Sequence, residues 1–427
     1  MINRFEYLTE LERHKGKSGL IKVVTGVRRC GKSTLLQLFQ KKLLKEKTAA
    51  NRIININLES MENEELRDGK ALYKHIKGKL KTGGLHYVFI DEAQLAAGFE
   101  EAVNSIRLLK NADLYVTGSN SNILSGKFAT RWAGRYVEIR MLPLSFREYA
   151  GIFPYTNPDI VFGNYSTMSS FPEVLSYYEQ PKYNGKIKHN GNRHHSGHWD
   201  EPGARSYLDA IYNSIMIKDV MLQHKVKEAA LLERVVKCLL SNIGSETSIN
   251  GMVNMLNNDL KFRPAEKKIY AATLEAYVEG LLNSFVFYKA ERHFIKGREY
   301  LRTNAKYYAV DIALRYYLLG NKGADSGHIL ENIVYLELLR RGYKVHIGKV
   351  GEKEVNFVAE NANGIEYYQV AETVRGKETL NREILPLEAI NDHYPKFILT
   401  RDYEPRKTHN GIKQLNALEW LLGQVSE

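Results

Sequence analysis

The sequence predicts an α/β fold. Residues 1–150 read as a parallel sheet with helices on both faces, followed by a mainly helical segment and a small α/β domain. Three observations predict the first part. Short β-branched runs alternate with amphipathic stretches, the pattern of strand–helix–strand units. The segment Gly26-Val27-Arg28-Arg29-Cys30-Gly31-Lys32-Ser33 fits G-x-x-x-x-G-K-[ST], a phosphate-binding loop. Two further apolar runs end in acids or in small polar residues, where an open sheet presents the carboxyl ends of its strands to a ligand.

The first strand is Leu20-Ile21-Lys22-Val23-Val24-Thr25, apolar and β-branched. The loop that follows needs its two glycines so that the backbone wraps an anion with its N–H groups pointing inward. Thr34-Leu35-Leu36-Gln37-Leu38-Phe39 then starts an amphipathic helix, whose positive end favours negative charge. In this reading Gly26, Arg28, Arg29, Cys30, Gly31, Lys32, Ser33 and Thr34 surround the phosphates. Lys32 reaches the β- and γ-phosphates, and the Ser33 hydroxyl ligates Mg²⁺.

The second run, Tyr87-Val88-Phe89-Ile90-Asp91-Glu92, has the Walker B form. Asp91 would hold the hydration shell of Mg²⁺, and Glu92 would orient or deprotonate the attacking water. The third run, Leu114 to Asn120, ends in Thr117-Gly118-Ser119-Asn120. Ser119 or Asn120 there either contacts the γ-phosphate or its water, or closes an ordinary Ser or Asx turn. Arg135 precedes a fourth strand, Tyr136-Val137-Glu138-Ile139. It is a candidate for stabilising transition-state charge, in its own site or a neighbour's, with Arg131 as a rival.

These motifs, with Phe-Ile-Asp-Glu-Ala-Gln at 89–94, Ala-Gly-Arg-Tyr at 133–136 and Pro-Leu-Ser-Phe-Arg-Glu at 143–148, resemble a large prokaryotic family of AAA-type ATP-binding proteins. The resemblance implies a P-loop NTPase domain, then a winged-helix-like segment and a restriction-endonuclease-like domain. It implies ATP and Mg²⁺ as cofactors and names no substrate.

Composition agrees with a soluble globular chain of two or three domains. The 427 residues are 44% hydrophobic and 26% charged. Two cysteines, Cys30 and Cys238, exclude a disulfide scaffold and suit a reducing cytosol. The polar start, Met1-Ile2-Asn3-Arg4-Phe5-Glu6, is unlike a secretory signal, and no apolar run is long enough to span a membrane. A cytoplasmic location is expected. The net charge of +12 raises DNA as a partner, although the excess is scattered over helices such as those carrying Lys41, Lys42, Lys45 and Lys47.

Beyond residue 150 the pattern changes. Residues 151–204 form a connection whose stretch from Asn184 to Gly203 is rich in Asn, Gly, His and Lys. It holds His189, His194, His195 and His198, without acidic or cysteine partners at a fixed spacing, so no metal site is expected. The preceding Ser169-Ser170 stands where the family resemblance implies glycines. Residues 205–320 are helical, with Leu231, Leu232, Val235, Val236, Leu239 and Leu240 on one face. Short strands at 285–290 and 300–303 flank Lys296-Gly297-Arg298, which suggests a winged helix, either a DNA reader or a lid or protein contact.

Residues 321–427 resemble the PD-(D/E)XK nucleases in layout, with Glu331 on a helix and strands at 354–358 and 367–372. Carried over by position, Asn356 replaces the metal-binding Asp, Gln369 fills the second acidic slot, and Ala371 replaces Lys. Asn supplies no carboxylate charge to Mg²⁺ and Ala activates no water, so a catalytically dead site is expected. Two functions remain: an ATP-hydrolysing switch or motor, able to form homo-oligomers, and a nucleic-acid-binding regulator gated by ATP with little turnover.

Overall fold

The computed structural model describes residues 2–81, 83–119, 121–124, 132–154, 156–179, 198–221, 226, 228–258, 268–295, 304–320, 326–403 and 407–425. Asn120, Arg131, His189, His194, His195, the 296–298 turn and the expected strand at 300–303 lie outside the described residues. The chain divides into two compact units, Met1–Pro143 with Asn283–Phe285, and Leu144–Leu282 with Val286–Glu427.

In the first unit the helices are α1 (Phe5–Arg13), α2 (Lys32–Lys45), α3 (Gly69–Lys79) and α4 (Phe99–Arg107). The strands are β1 (Ile21–Thr25), β2 (Ile53–Asn57), β3 (His86–Asp91), β4 (Ala112–Gly118) and β5 (Tyr136–Arg140). All five strands are parallel, in the order β2-β3-β4-β1-β5. This is a P-loop NTPase α/β fold, as the sequence predicts.

Strand alternation explains why both faces need helices. Val88 and Ile90 point to a core built with Leu72, Ile76, Val103 and Ile106 from α3 and α4. Phe89, one residue out of phase, points the other way. It stacks on Tyr115 at 4.9 Å, and Tyr115 meets Phe39 of α2 at 5.3 Å. Burial of β1, β3 and β4 on both sides accounts for their near-continuous apolar runs.

The second unit opens on α5 (Phe146–Ala150), where Ser145 and Glu148 form a capping box of 3.0 and 2.9 Å bonds. The local role of the Pro-Leu-Ser-Phe-Arg-Glu motif is therefore to start a helix. Helices α6 (Pro158–Met168), α7 (Glu201–Ser214), α8 (Ala229–Ser241), α9 (Ile249–Asn258) and α10 (Ala271–Asn283) follow. Helix α8 buries the six-residue apolar face that the periodicity predicts. Ser248 caps α9 by accepting from the Gly251 N–H at 3.0 Å.

The C-terminal sheet has eight strands. Between α6 and α7 lies a small ladder of β6 (Tyr178–Glu179) and β7 (His198–Trp199). Strands β8 (Phe287–Phe294) and β9 (Ala305–Ala309) precede α11 (Ala313–Leu319) and α12 (Ser326–Arg340). Then come β10 (Lys344–Val350), β11 (Lys353–Asn361), β12 (Gly364–Val370), α13 (Lys377–Glu388), β13 (Lys396–Thr400), β14 (Lys407–His409), β15 (Ile412–Asn416) and α14 (Ala417–Leu422). The order is β14-β15-β13-β12-β11-β10-β8-β9. Strands β8 and β9 form one edge of this sheet; the turn at 296–298 and the second strand at 300–303 of the expected wing lie outside the described residues. Strand β8 pairs in parallel with β10, and Phe287, Tyr288, Ala290 and all of β9 are buried.

Candidate nucleotide site

The phosphate loop runs from the end of β1 to the start of α2. Its backbone is special at Gly26, with φ 145°, and Gly31, with φ 103°. Gly26 is required for space as well as angle: a Cβ there would lie 2.1 Å from the Met141 carbonyl oxygen. Val27 and Cys30 are fully buried and anchor the loop underneath. Arg29 adopts a left-handed φ of 69° and is exposed, and Arg28 pairs with Glu59 at 3.1 Å. Arg4, which no motif points to, is almost wholly buried. Its guanidinium donates to the carbonyls of Cys30, Leu142 and Pro143 at 3.1, 2.6 and 3.1 Å, tying the loop to the chain beyond β5.

Helix α2 starts without a side-chain cap at Gly31, so its first N–H groups are available to an anion. Lys32 is buried at 4% exposure. Its Nζ donates to the carbonyls of Gly26 and Val27 at 2.9 and 3.1 Å, which holds its charge over the loop. Ser33 and Thr34 follow, both half-buried.

The acidic side of the site comes from β3 and β4. Asp91 ends β3, buried, and accepts hydrogen bonds from the Thr117 and Ser33 hydroxyls. Burial raises its pKa above the ordinary aspartate value. Those two hydrogen bonds and the Lys32 charge offset the rise in part, while the Glu92 charge adds to it. Ser33 and Asp91 are hard oxygen donors side by side, a donor set that fits Mg²⁺.

Glu92 is also buried and takes a left-handed conformation, with φ 53°. Its N–H donates to Thr117 Oγ1 at 2.9 Å, and its carboxylate accepts from the Gln94 side-chain amide. Ser119 is fully buried, and its hydroxyl has no hydrogen-bond partner among the described residues.

The structure thus gathers Gly26, Gly31, Lys32, Ser33, Asp91, Glu92 and Ser119 at the carboxyl ends of β1, β3 and β4. Arg135 is placed elsewhere. Its carbonyl accepts from the Ile21 N–H at 2.9 Å, so it lies at the amino end of β1 and β5. The length of β1, roughly 13 Å at a strand's rise per residue, separates that end from the loop. Arg4 belongs to the site without a sequence signal, and Thr117 and Gln94 lie in motifs that the sequence shows without assigning them a role.

A second polar cluster occupies the C-terminal sheet. Lys306 of β9 is buried and pairs with Glu331 at 3.0 Å and Glu354 at 2.7 Å. Glu331 also accepts from the Tyr308 hydroxyl at 2.7 Å and the Asn356 amide at 3.2 Å. Asn356 and Gln369 are locked by backbone and side-chain bonds of 2.9 Å to each other's strands, and Gln369 donates to Glu383 at 2.9 Å. A cavity of about 840 Å³ opens onto this cluster. The donor set does not fit Mg²⁺, because an ammonium group already lies between the two carboxylates.

Comparison with known proteins places the site in context. Residues 18–150 match the model of an AAA domain, and residues 196–325 match that of a domain of unknown function, DUF8612. An uncharacterized protein of Haemophilus influenzae is 35% identical over 429 residues, spanning 99% of both chains. The uncharacterized protein MJ1544 of Methanocaldococcus jannaschii is 27% identical over 370 residues, 84% of this chain and 77% of that one. Among solved structures, the ORC2 protein of Aeropyrum pernix aligns with a TM-score of 0.38 at 10% identity, covering 78% of this chain and 92% of that one.

Proposed function

The chain belongs to the family of the Haemophilus influenzae protein and carries an AAA domain, and on that premise we propose that it is a Mg²⁺-dependent ATPase working as a molecular switch or motor. The observation that carries the proposal is the convergence of Lys32, Ser33, Asp91 and Glu92 beside the uncapped start of α2. The loop N–H groups and Lys32 bind the triphosphate. Ser33 and Asp91 would hold Mg²⁺, which would supply positive charge to offset that of the phosphates. Glu92, fixed at both its N–H and its carboxylate, takes the proton of the attacking water.

Arg135 lies too far from the loop of its own unit to touch the γ-phosphate there, because β1 stands between them. Its position at the opposite end of the sheet supports a role in a neighbouring copy's site, which makes turnover dependent on self-assembly. The C-terminal cluster supports no nuclease chemistry. Asn356 and Ala371 remove the charge and the base, and the Lys306 ammonium takes the place of a metal.

Steady-state ATP hydrolysis tests the reading. It is measured with Mg²⁺ over a range of protein concentrations, with and without duplex DNA, beside Glu92→Gln. The expected result is turnover that rises per subunit with concentration and is lost in the variant, with ATP binding kept. DNA stimulation would add nucleic acid as the partner. Absence of ATP binding, or a Glu92→Gln variant with unchanged turnover, would sink the proposal.

A further inference from the structure

The geometry points to Gln94 as the residue that positions Glu92 and the attacking water, an inference that rests on the ATPase reading. Gln94 is the middle residue of the single 3₁₀ turn Ala93–Leu95 that follows the two acids. Its side-chain amide nitrogen donates to the Glu92 carboxylate. The Glu92 N–H is fixed by Thr117 at 2.9 Å, and its backbone is held in the left-handed region. A residue in that region needs surrounding contacts to keep it there, and such residues cluster at active sites. Gln94 and Thr117 supply those contacts from either side.

The other half of the Gln94 carboxamide is unused. Its Oε1 is buried and accepts no hydrogen bond among the described residues. It lies against the end of β4, where a Cβ on Gly118 would come within 3.1 Å of it. A glycine at 118 leaves that room. The next residue, Ser119, is the fully buried serine whose hydroxyl also lacks a partner among the described residues. Two orphaned polar atoms on neighbouring elements are costly unless a polar group enters between them.

A water molecule bound between them would satisfy both. It has two protons to donate and two lone pairs. The Glu92 carboxylate and the Gln94 carbonyl are acceptors, and the Ser119 hydroxyl is a donor. A water held by all three spends both protons and one lone pair, leaving one lone pair for phosphorus. In the step, the water oxygen bonds to the γ-phosphorus. The bond from γ-phosphorus to the bridging oxygen breaks, and its electron pair leaves on ADP. The water's proton passes to Glu92 and then to the released phosphate. Gln94 is thus a positioning residue, acting on Glu92 through its amide and on the water through its carbonyl.

The test uses Gln94→Ala and Gln94→Glu in the full chain, with two readouts. Equilibrium binding of a fluorescent N-methylanthraniloyl ATP reports on the phosphate site, and single-turnover hydrolysis reports on the chemical step. Affinity is expected to stay within about twofold while the rate falls on the order of 10²-fold, the usual worth of a positioned proton acceptor. Gln94→Glu should keep nucleotide affinity but not restore the rate, because its carboxylate cannot donate to the Glu92 carboxylate as the amide does. A purely structural role would lower rate and affinity together. A Gln94→Ala variant with the wild-type rate overturns the inference and leaves the ATPase reading intact. So does a rate loss matched by an equal loss of affinity. A wild-type protein that binds no nucleotide overturns the ATPase reading itself, and the inference with it.

Discussion

Replacing Lys306 with Met removes the positive charge that the buried Glu331 and the half-buried Glu354 share. The Nζ lies 3.0 Å from Glu331 and 2.7 Å from Glu354, and Lys306 and Glu331 are both almost fully buried. Burial alone would push the lysine pKa down, but the two carboxylates outweigh it and hold the pKa above the ordinary value. The linkage sign follows: the stabilisation is complete below a free lysine's pKa, about 10.4, and is lost only as pH rises through the higher folded value. At neutral pH the full effect is therefore present. Removing one partner of a buried pair costs about 3–5 kcal/mol, because the other charge is left unpaired. At about 3 kcal/mol per molar urea, the unfolding midpoint of this unit should fall by about 1–1.7 M. Urea titration followed by the fluorescence of Trp199 and Trp420 measures it, and the double variant Lys306→Met with Glu331→Gln supplies the decisive comparison. The glutamine introduced there can still accept from Tyr308 and Asn356 but carries no charge, so the double variant should recover part of the loss. A single variant costing less than about 1 kcal/mol, or a double variant costing the sum of both, would refute the idea that an internal ammonium neutralises this site.

Mixing experiments test Arg135: Arg135→Ala and Glu92→Gln should each be inactive alone, and their mixture should regain activity where an intact Glu92 site receives Arg135 from the other variant. No recovery in a mixture shown to co-assemble would rule out action across subunits. The raised pKa of Asp91 sets two opposite pH trends. Mg²⁺-dependent nucleotide affinity, measured by fluorescence, should begin to fall on acidification at a pH above a free aspartate's pKa, about 3.9, because the metal needs the carboxylate. Stability without nucleotide should rise over the same interval, since the folded state binds the proton more tightly than the unfolded chain does. A parallel fall of both would contradict the burial of Asp91 as the cause.

What the sequence made legible was local. The phosphate loop and the Asp91-Glu92 pair could be read because their chemistry resides in contiguous residues whose flanks also form the strand or helix they need. The helical face of α8 could be read because one period defines it. Residues that work through distant partners gave no such signal. Arg4 is a charged residue near the chain start, and only the fold brings three carbonyls to it from residues 30, 142 and 143. The apolar run at the start of β8 reads as a strand, but only the fold shows that β8 pairs in parallel with β10. Arg135 directly precedes β5, as the sequence suggests, yet the direction of the parallel strands puts it at the far end of the sheet from the loop.

Two departures from the family resemblance show how tertiary contacts replace what a motif lacks. Ser169 takes φ 120° and ψ 153°, a region open mainly to glycine, and it does so where the resemblance implies a glycine. Asp311, buried in the same unit, accepts from the hydroxyls of Ser169 and Ser170 and from the Ser170 N–H at 2.8 Å. Those bonds to a buried carboxylate hold a conformation that serine would otherwise avoid, and the carboxylate gains the donors its burial demands. The C-terminal cluster follows the same logic. Ala371 leaves no cation at the position two residues after Gln369, but the carboxylate of Glu331 still requires one inside the sheet. Lys306 supplies it from β9, which joins this sheet only because β8 pairs with β10. A single ammonium thus lies between two carboxylates and offsets part of their charge.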